Sequence, residues 1–352
     1  MLIGTRATAG MPSLRYWTAA GRSLTLGAMP EIVRFKTVTV LTPLRDDWES
    51  ADMLLPMLCD ALKGGPEKVR VVFMDDASED PMPRDFGVSV KDRAEVSVVH
   101  LIRNLGHQRA LAVGLAYLAE KHEDSDAVIV MDCDGEDAPA DARRLLERAE
   151  AMGGRSVVFA ERTQRSENWL FRMGYFCYRI LHEVLTGRAI RFGNFSAVPR
   201  RQLLRIASVS ETWNHYAAAV VKSGIPVSTV PTTRAKRLTG ESKMNLVGLV
   251  VHGLSAISVH GETIGVKLLL ACAGSLFMLL LLGISVLGVK LFTDMAIPGW
   301  ATTAGGLLLV IFIQMAALSL QFAFLVLQSR AGASFIPSRD YGHFIEEIER
   351  VV

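Results

Sequence analysis

The chain has 352 residues, half of them apolar, and a formal net charge of +2 at pH 7. This length is enough for a large core or two domains, and so small a net charge gives no reason to expect a nucleic-acid partner. Its four cysteines form no C-x-x-C pair. We therefore expect reduced thiols in a cytosolic setting and no disulfide or zinc framework.

Residues 1–34 form an amino-terminal extension. Up to Pro30 it carries arginines but no acid, and it lacks the continuous apolar core of a secretory signal. We interpret it as flexible or loosely attached. A later true start, at Met11 or Met29, stays open.

Residues 35–243 alternate between strand-like and helix-like segments. The predicted strands are 37–43, 68–76, 95–102, 126–134 and 156–162, and the predicted helices are 53–64, 108–122 and 139–154. Strands alternating with helices of about 10–15 residues predict a mainly parallel α/β sheet with helices on both faces. Folds of this kind bind ligands at the carboxyl ends of their strands.

Acidic residues follow three of these predicted strands. They are Asp46 and Asp47, Asp75 and Asp76, and the run Asp132, Asp134, Glu136 and Asp137. Residues two apart in an extended chain point the same way, so Asp132, Asp134 and Glu136 can converge, and Mg²⁺ or Mn²⁺ would relieve their repulsion. The alternative is an acidic surface loop in which Asp137 caps the helix that begins at Pro139. Three acidic strand ends together favour one acidic crevice.

Two uncharged stretches, 268–289 and 295–329, lie near the carboxyl terminus. A helix needs about 20 apolar residues to cross a bilayer, and the short connector predicts an antiparallel pair of transmembrane helices, 266–330, followed by a tail, 331–352. Lys267 and Arg330 bracket the pair, so the positive-inside rule predicts a multi-pass inner-membrane protein whose bulk and tail face the cytoplasm. Two buried core helices are the alternative.

Two other segments suit the membrane surface. In 168–185, Trp169, Met173 and Phe176 recur at helical spacing beside two arginines one heptad apart. Such a pattern is typical of an amphipathic helix lying in the membrane interface, with a core helix as the alternative. The segment 244–265 is a second candidate, because basic residues just before it can attract an anionic lipid head.

Six motifs, "LTPLRDD", "VVFMDDAS", "RNLGHQRALAVGL", "DCDGEDAP", "AERTQR" and "RLTGESK", occur in the order typical of family 2 inverting glycosyltransferases. The chain most resembles the polyprenyl-phosphate glycosyltransferases, the dolichyl-phosphate-mannose-synthase-like group, over residues 38–243. The resemblance implies a GT-A catalytic domain, Rossmann-like with a mainly parallel sheet, at 35–243. It also implies an interfacial amphipathic helix and a two-helix transmembrane hairpin after it.

The resemblance further implies a reaction and its residues. A UDP- or GDP-sugar would donate its sugar, with inversion, to a polyprenyl phosphate at the cytoplasmic membrane face, with Mg²⁺ or Mn²⁺ as cofactor. The implied nucleotide-binding residues are Pro43, Asp47, Asp75, Asp76, Asn104, His107 and Gln108. The implied catalytic residues are Asp132, Asp134, Arg162 and Arg237; the metal ligands are Asp132, Asp134 and Glu136; and the acceptor-phosphate ligands are Arg237, Ser242 and Lys243.

The sequence departs from the family pattern at three places. Asp46-Asp47 stands where Asn-Glu is frequent, Glu136 where glutamine is frequent, and Asn194 where an acid is common. His107 is the one histidine inside a matched motif, and we interpret it as a loop or substrate contact in preference to a base.

Two other functions stay open. A processive polysaccharide synthase would carry a Q-x-x-R-W motif, and "QRSENW" at 164–169 has the wrong spacing. A non-catalytic nucleotide-binding membrane scaffold is the second, and the intact acidic run argues against it. The expected partners are a nucleotide-sugar, a polyprenyl phosphate and the bilayer, with a homo-oligomer left open.

Overall fold

The computed structural model describes residues 33–162, 183–187, 192–240, 246–293, 299–331 and 335–352. The strands in these ranges are β1 (Thr37–Leu44), β2 (Lys68–Asp75), β3 (Glu95–Leu101), β4 (Ala127–Val130), β5 (Val157–Arg162), β6 (Phe192–Pro199), β7 (Val227–Thr232) and β8 (Ile345–Arg350). Within the described residues they form one sheet in the order β7-β5-β6-β4-β1-β2-β3-β8.

The sheet is mainly parallel. β1 pairs in parallel with β2 and β4, β2 with β3, and β5 with β7. β6 is antiparallel to both β4 and β5, and β8 is antiparallel to β3. The predicted fold class, a mainly parallel α/β sheet, is confirmed.

Helices cover both faces of this sheet. They are α1 (Trp48–Leu62), α2 (His107–Lys121), α3 (Pro139–Ala151), α4 (Arg200–Ile206) and α5 (Tyr216–Lys222). Because side chains alternate along a strand, Val40 and Leu41 of β1 enter opposite apolar clusters. The first cluster contains Leu54 of α1 and Leu145 of α3, and the second contains Leu111 of α2. Each face of the sheet is therefore buried, as its nearly uninterrupted apolar strands predicted.

Two element boundaries differ from the sequence expectation. β4 ends at Val130 and not at residue 134, because the chain leaves the sheet where the acids begin. α1 begins at Trp48, five residues earlier than expected. Its polar first turn hides the helical period, although Trp48 and Ala51 both face the core.

Three further helices follow the last parallel strand: α6 (Leu246–Ser258) and the two long helices α7 (Gly261–Phe292) and α8 (Trp300–Ala331). α7 and α8 are long and apolar enough to cross a membrane, with hydropathies of 2.4 and 2.2 and only 6% and 0% of their most apolar windows buried. The alternative that they are buried core helices is therefore wrong. They run side by side, since a Cβ built on Gly265 would lie 2.5 Å from Val326 Cγ2.

The two candidate interfacial helices have different outcomes. α6 occupies most of the segment 244–265 and is helical as expected. The segment 168–185 lies almost entirely outside the described residues, as does most of the extension 1–34.

The tail returns to the sheet. It forms a short helix, α9 (Pro337–Asp340), and then β8, whose Ile348 pairs with Val99 of β3. Ile102 N also donates a hydrogen bond of 3.0 Å to Phe344 O. The sheet is thus completed by residues that follow both long apolar helices.

Candidate active site at the carboxyl ends of the strands

The acidic loop after β4 turns one of its acids inward. Asp137 is 5% exposed, and its carboxylate accepts a 3.2 Å hydrogen bond from Asp132 N and lies 3.3 Å from Arg162 Nη2. It does not cap α3, because the residue before that helix is Ala138 and no side chain caps it. The alternative of a helix-capping surface loop is therefore wrong for Asp137.

Negative charge accumulates around this loop. Burial, and then repulsion from Asp132, raises the pKa of Asp137 to about 7, although Arg162 opposes the shift. Burial and Asp132 also raise the pKa of Asp134, against the effect of nearby arginines. Burial raises the pKa of the Cys133 thiol, and the neighbouring aspartates raise it further. A cation placed among these carboxylates would remove the repulsion.

One arginine joins two strand ends. Arg237 Nη2 lies 2.8 Å from Asp47 Oδ2, and its Nη1 lies 3.2 Å from Asp134 Oδ2. Asp47 follows β1 and Asp134 follows β4, which are neighbours in the sheet. Arg237 Nε donates to Thr239 O at 3.0 Å, which fixes the planar guanidinium between the two carboxylates.

The segment containing this arginine is hydrogen-bonded to the acidic loop. Ala235 N donates to Glu136 O at 3.0 Å, and Leu238 N donates to Asp134 O at 2.9 Å. Arg234 forms an ion pair with the Glu136 carboxylate. Residues 233–240 therefore lie against the D-x-D loop, although a hundred residues separate them along the chain.

Gly135 allows this close approach. Its φ is +80°, a conformation that glycine adopts without steric cost, and a Cβ there would lie 2.4 Å from Leu238 Cγ. Both the backbone conformation and the close contact with Leu238 therefore favour glycine at this position of the D-x-D-G sequence.

A histidine borders the same loop, with one amide in contact with it and a second amide next to it in the chain. His107 Nε2 lies 3.4 Å from Asp132 Oδ1 and 3.0 Å from Asn194 Nδ2. Gln108 Oε1 accepts a hydrogen bond of 2.8 Å from Tyr216 N. Asn194 Oδ1 and Gln108 Nε2 are buried and have no hydrogen-bond partner within the part of the chain that is described. Unpaired buried amide atoms next to an acidic loop are free to meet a ligand.

The acids after β2 have internal partners. Asp76 accepts hydrogen bonds from Leu105 N at 2.6 Å and Gly106 N at 2.8 Å, so it shapes the loop before α2. Asp75 Oδ2 lies 2.8 Å from His100 Nδ1. Asp75 also borders a cavity of about 780 Å³ beside β3 and β8.

The other candidate residues lie along the same edge or beyond it. Pro43 pairs with Met74 near the carboxyl end of β1, and the Asn104 side chain accepts a 3.0 Å hydrogen bond from Gly106 N. Ser242 and Lys243 lie outside the described residues. The other predicted site residues lie at or against the edge formed by the ends of β1, β2, β4 and β5 and the start of α2.

Carboxylate oxygens are the ligands that Mg²⁺ and Mn²⁺ prefer. Across the described ranges, no three His, Cys, Asp or Glu side chains stand together as a ready metal group. Asp134 and Glu136 each face an arginine, whereas the Asp132 side chain is 39% exposed. The excess of carboxylates fits a divalent cation. The ligand set Asp132, Asp134 and Glu136 stays a prediction that requires Arg234 to leave Glu136.

Two features of the site were missed in the sequence. In the sequence, Arg234 lies in a basic run and His100 in a predicted strand, and neither pattern indicates a site contact. Only their positions relative to the strands could have pointed to them: His100 lies near the end of β3 beside Asp75, and Arg234 follows β7. Strand order was needed to see either contact.

Comparisons with known proteins agree with the family resemblance. Residues 39–212 match the profile of the family described as "Glycosyl transferase family 2". Over 247 residues, 67% of this chain and 72% of the relative, the sequence is 26% identical to "Uncharacterized glycosyltransferase YkcC" of Bacillus subtilis (strain 168).

Two groups of solved structures are similar in outline. One is glucosyl-3-phosphoglycerate synthase from Mycobacterium tuberculosis, in complex with Mn²⁺, UDP and glucosyl-3-phosphoglycerate, at 17% identity and a TM-score of 0.45, covering 65% of this chain and 80% of that one. Another is mannosyl-3-phosphoglycerate synthase from Rubrobacter xylanophilus, at 15% identity and a TM-score of 0.43, covering 63% and 72%. The profile match covers residues 39–212, and over this range the chain is similar to glycosyl transferase family 2.

Proposed function

We propose that this protein is an inverting, metal-dependent glycosyltransferase that moves a sugar from a UDP- or GDP-sugar to a polyprenyl phosphate at the cytoplasmic face of a membrane. The donor would lie along the carboxyl ends of β1, β2 and β4. The acceptor would reach the same crevice from the bilayer beside α7 and α8.

The donor side of the proposal rests on the charge pattern. Asp132 and Asp134 supply oxygen ligands for Mg²⁺ or Mn²⁺. Fixed positive charge comes from Arg237, which contacts Asp134, and from Arg162, which contacts Asp137 of the same loop. A bound divalent cation would stabilise the charge that develops on the departing nucleoside diphosphate. Arg237 already bridges Asp47 and Asp134, so we place it at the donor diphosphate, in addition to the acceptor role implied by the resemblance.

The observation that carries the acceptor assignment is the pair α7 and α8. They present long apolar surfaces with almost no buried residues, and they follow the domain that contains residues 39–212 through α6. Such surfaces are covered when the helices lie in lipid. An acceptor with a lipid tail would then be held in the same bilayer.

The residues beside Asp132 suit an acceptor that is already anionic. Asn194, an amide, stands where an acid is common in the family, and its neighbour is His107. A neutral hydroxyl acceptor would need a general base. A phosphate oxygen can attack the anomeric carbon unaided, while the bond from that carbon to the diphosphate oxygen breaks and the configuration inverts.

The membrane arrangement follows from the sheet. β3 and β8 are hydrogen-bonded, and β8 comes after both apolar helices. If α7 and α8 each cross the bilayer, their outer ends return to the same side, as this pairing requires. The cytoplasmic side and the inner-membrane location rest on the positive-inside rule.

A direct assay tests the proposal. The full chain in detergent micelles would be incubated with Mn²⁺, a panel of UDP- and GDP-sugars, and polyprenyl phosphate, with glycolipid as the readout. Phosphoglycerate serves as a soluble anionic acceptor and water as the blank. We expect a glycolipid with inverted anomeric configuration. Transfer only to phosphoglycerate would show that the protein is a glycosyltransferase but that its acceptor is not a lipid. Donor binding without any transfer would favour the non-catalytic scaffold.

A further inference from the structure

The cavity beside Asp75 has a wall that the family profile does not include. Its volume is about 780 Å³, and its lining includes Asp75, Arg84 and His100 on one side and Glu347 and Glu349 on the other. The first group lies within residues 39–212. The second belongs to β8, which ends the chain.

β8 is fixed in register along this cavity. Glu347 is the direct partner of His100, and Glu349 Oε2 lies 3.7 Å from His100 Nε2. Directly opposed residues of an antiparallel pair project from the same face, and alternate residues on one strand share a face. Glu347 and Glu349 therefore stand on the His100 side, whereas Ile348 between them does not line the cavity.

The tail has its own anchors on the family 2 domain. The ring centroids of Trp213 and Phe335 are 3.9 Å apart, and those of Trp213 and Phe344 are 5.1 Å apart. Tyr341 is 7% exposed and its ring lies 6.4 Å from that of Tyr117 in α2. These contacts precede β8, and after it Val351 N donates to Val96 O at 2.9 Å, so the wall is held at both of its ends.

We infer that β8 is a wall of the donor's nucleoside site, so that the site is complete only after the tail has docked beyond the two apolar helices. The inference rests on the proposed function, because it takes the ligand to be the nucleoside of the donor. Asp75 links the cavity to the acidic edge of the sheet. A nucleobase carrying N–H donors would find carboxylate acceptors on both walls.

This arrangement couples donor binding to membrane insertion. The residues of β8 are synthesised after α7 and α8, and the strand can reach β3 only when both helices have been placed. A chain whose hairpin is misinserted would keep the acidic loop and lose one wall of the nucleoside site.

Two tryptophan substitutions on neighbouring positions test the inference. Glu347→Trp places a bulky side chain in the cavity opposite His100, and Ile348→Trp places the same side chain on the other face of the strand. Both suit a strand, since aromatic residues are favoured there. The full chain in detergent with Mn²⁺ would be titrated with UDP, GDP and inorganic pyrophosphate, which has no nucleoside.

We expect Glu347→Trp to weaken the binding of whichever nucleoside diphosphate the wild type prefers by at least about tenfold. Pyrophosphate affinity should stay unchanged, and Ile348→Trp should bind all three like the wild type. Equal effects of both substitutions, unchanged nucleotide affinity of Glu347→Trp, or parallel loss of pyrophosphate would each overturn the inference. If the wild type binds neither nucleoside diphosphate, the proposed function itself fails, which is a separate result.

Discussion

Arg237 Nη1 lies 3.2 Å from Asp134 Oδ2, although the two residues are 103 positions apart in the chain. The same guanidinium contacts Asp47, so it holds together the two loops that follow β1 and β4. Both carboxylates are only 15% exposed and depend on this arginine for their main positive charge. The crevice is therefore assembled by a residue outside the strands that form it.

Removing that guanidinium should loosen the crevice. Arg237→Ala leaves two half-buried carboxylates without their partner, and losing hydrogen bonds to charged groups costs roughly 1.5–3 kcal/mol each. We expect a lower melting temperature and weaker nucleoside diphosphate binding. Arg143→Ala is the control, because it removes only exposed contacts: an ion pair with Glu147 one helical turn away and a hydrogen bond to Lys63 O. If Arg237→Ala binds nucleotide like the wild type and only the KM for the lipid rises, Arg237 binds the acceptor phosphate and not the donor.

The metal prediction concerns Asp134. Asp134→Asn keeps the size of the side chain and removes one charge, so the fold should survive. Losing a contact that stabilises the leaving group costs roughly 10²–10³ in rate, and removal of the metal should cost at least that. Activity should disappear in excess EDTA and return with Mg²⁺ or Mn²⁺. Full turnover in EDTA would falsify the metal role of Asp132 and Asp134.

The contact between Gly135 and Leu238 should be sensitive to one methyl group. Gly135→Ala introduces a left-handed alanine, at about 1–2 kcal/mol, and overpacks Leu238, at about 1–3 kcal/mol. Gly240→Ala separates the two costs, because its φ is +67° but a Cβ there would meet nothing within 4 Å. Denaturant unfolding should show a clearly larger loss for Gly135→Ala. Equal losses would show that Leu238 moves aside freely.

The sequence predicted the limits of four of the strands that pair in parallel well, and it missed β7. β1, β2, β3 and β5 carry β-branched or apolar runs between turn residues, and all are found within two residues of the expected limits. The carboxyl ends of parallel strands lie along one edge of a sheet, so the sequence also predicted that the acids after these strands lie near one another.

The antiparallel strands and the tail were not predicted from the sequence. β6 lies between β4 and β5, an order that local patterns do not encode. β8 contains three glutamates, which made it look like a solvated tail, and a strand at the edge of a sheet tolerates exposed charge. The ion pair of Arg237 with Asp47 and the wall beside His100 could not be predicted either, because both require knowledge of which strands are neighbours in the sheet.

A half-buried histidine far from the crevice should give a pH dependence of stability. Burial, and then the charge of Arg70, lowers the pKa of His122 below its ordinary value of 6.5. The native state resists a proton that the unfolded chain accepts, so this group's contribution is present above pH 6.5 and fades as pH falls below it. In melts from about pH 8 to pH 5, His122→Phe should lose part of the acid-side decline. An unchanged profile would assign that decline to other groups.

The pairing of β3 with β8 leads to a prediction about topology. Val351 N donates to Val96 O at 2.9 Å, so the last residues of the chain belong to the same folded body as the family 2 domain. That body cannot lie on both sides of a bilayer, and two crossings by α7 and α8 return the chain to its starting side. Reporters would be fused after Val352, inserted in the exposed turn at Gly64, and inserted in the connector 293–299. We expect the first two to report the cytoplasm and the connector to report the opposite side, in keeping with the positive charge that flanks the pair of helices. If the connector reports the same side as Val352, α7 and α8 do not cross. If Gly64 and Val352 report opposite sides, the strand pairing does not form in the membrane.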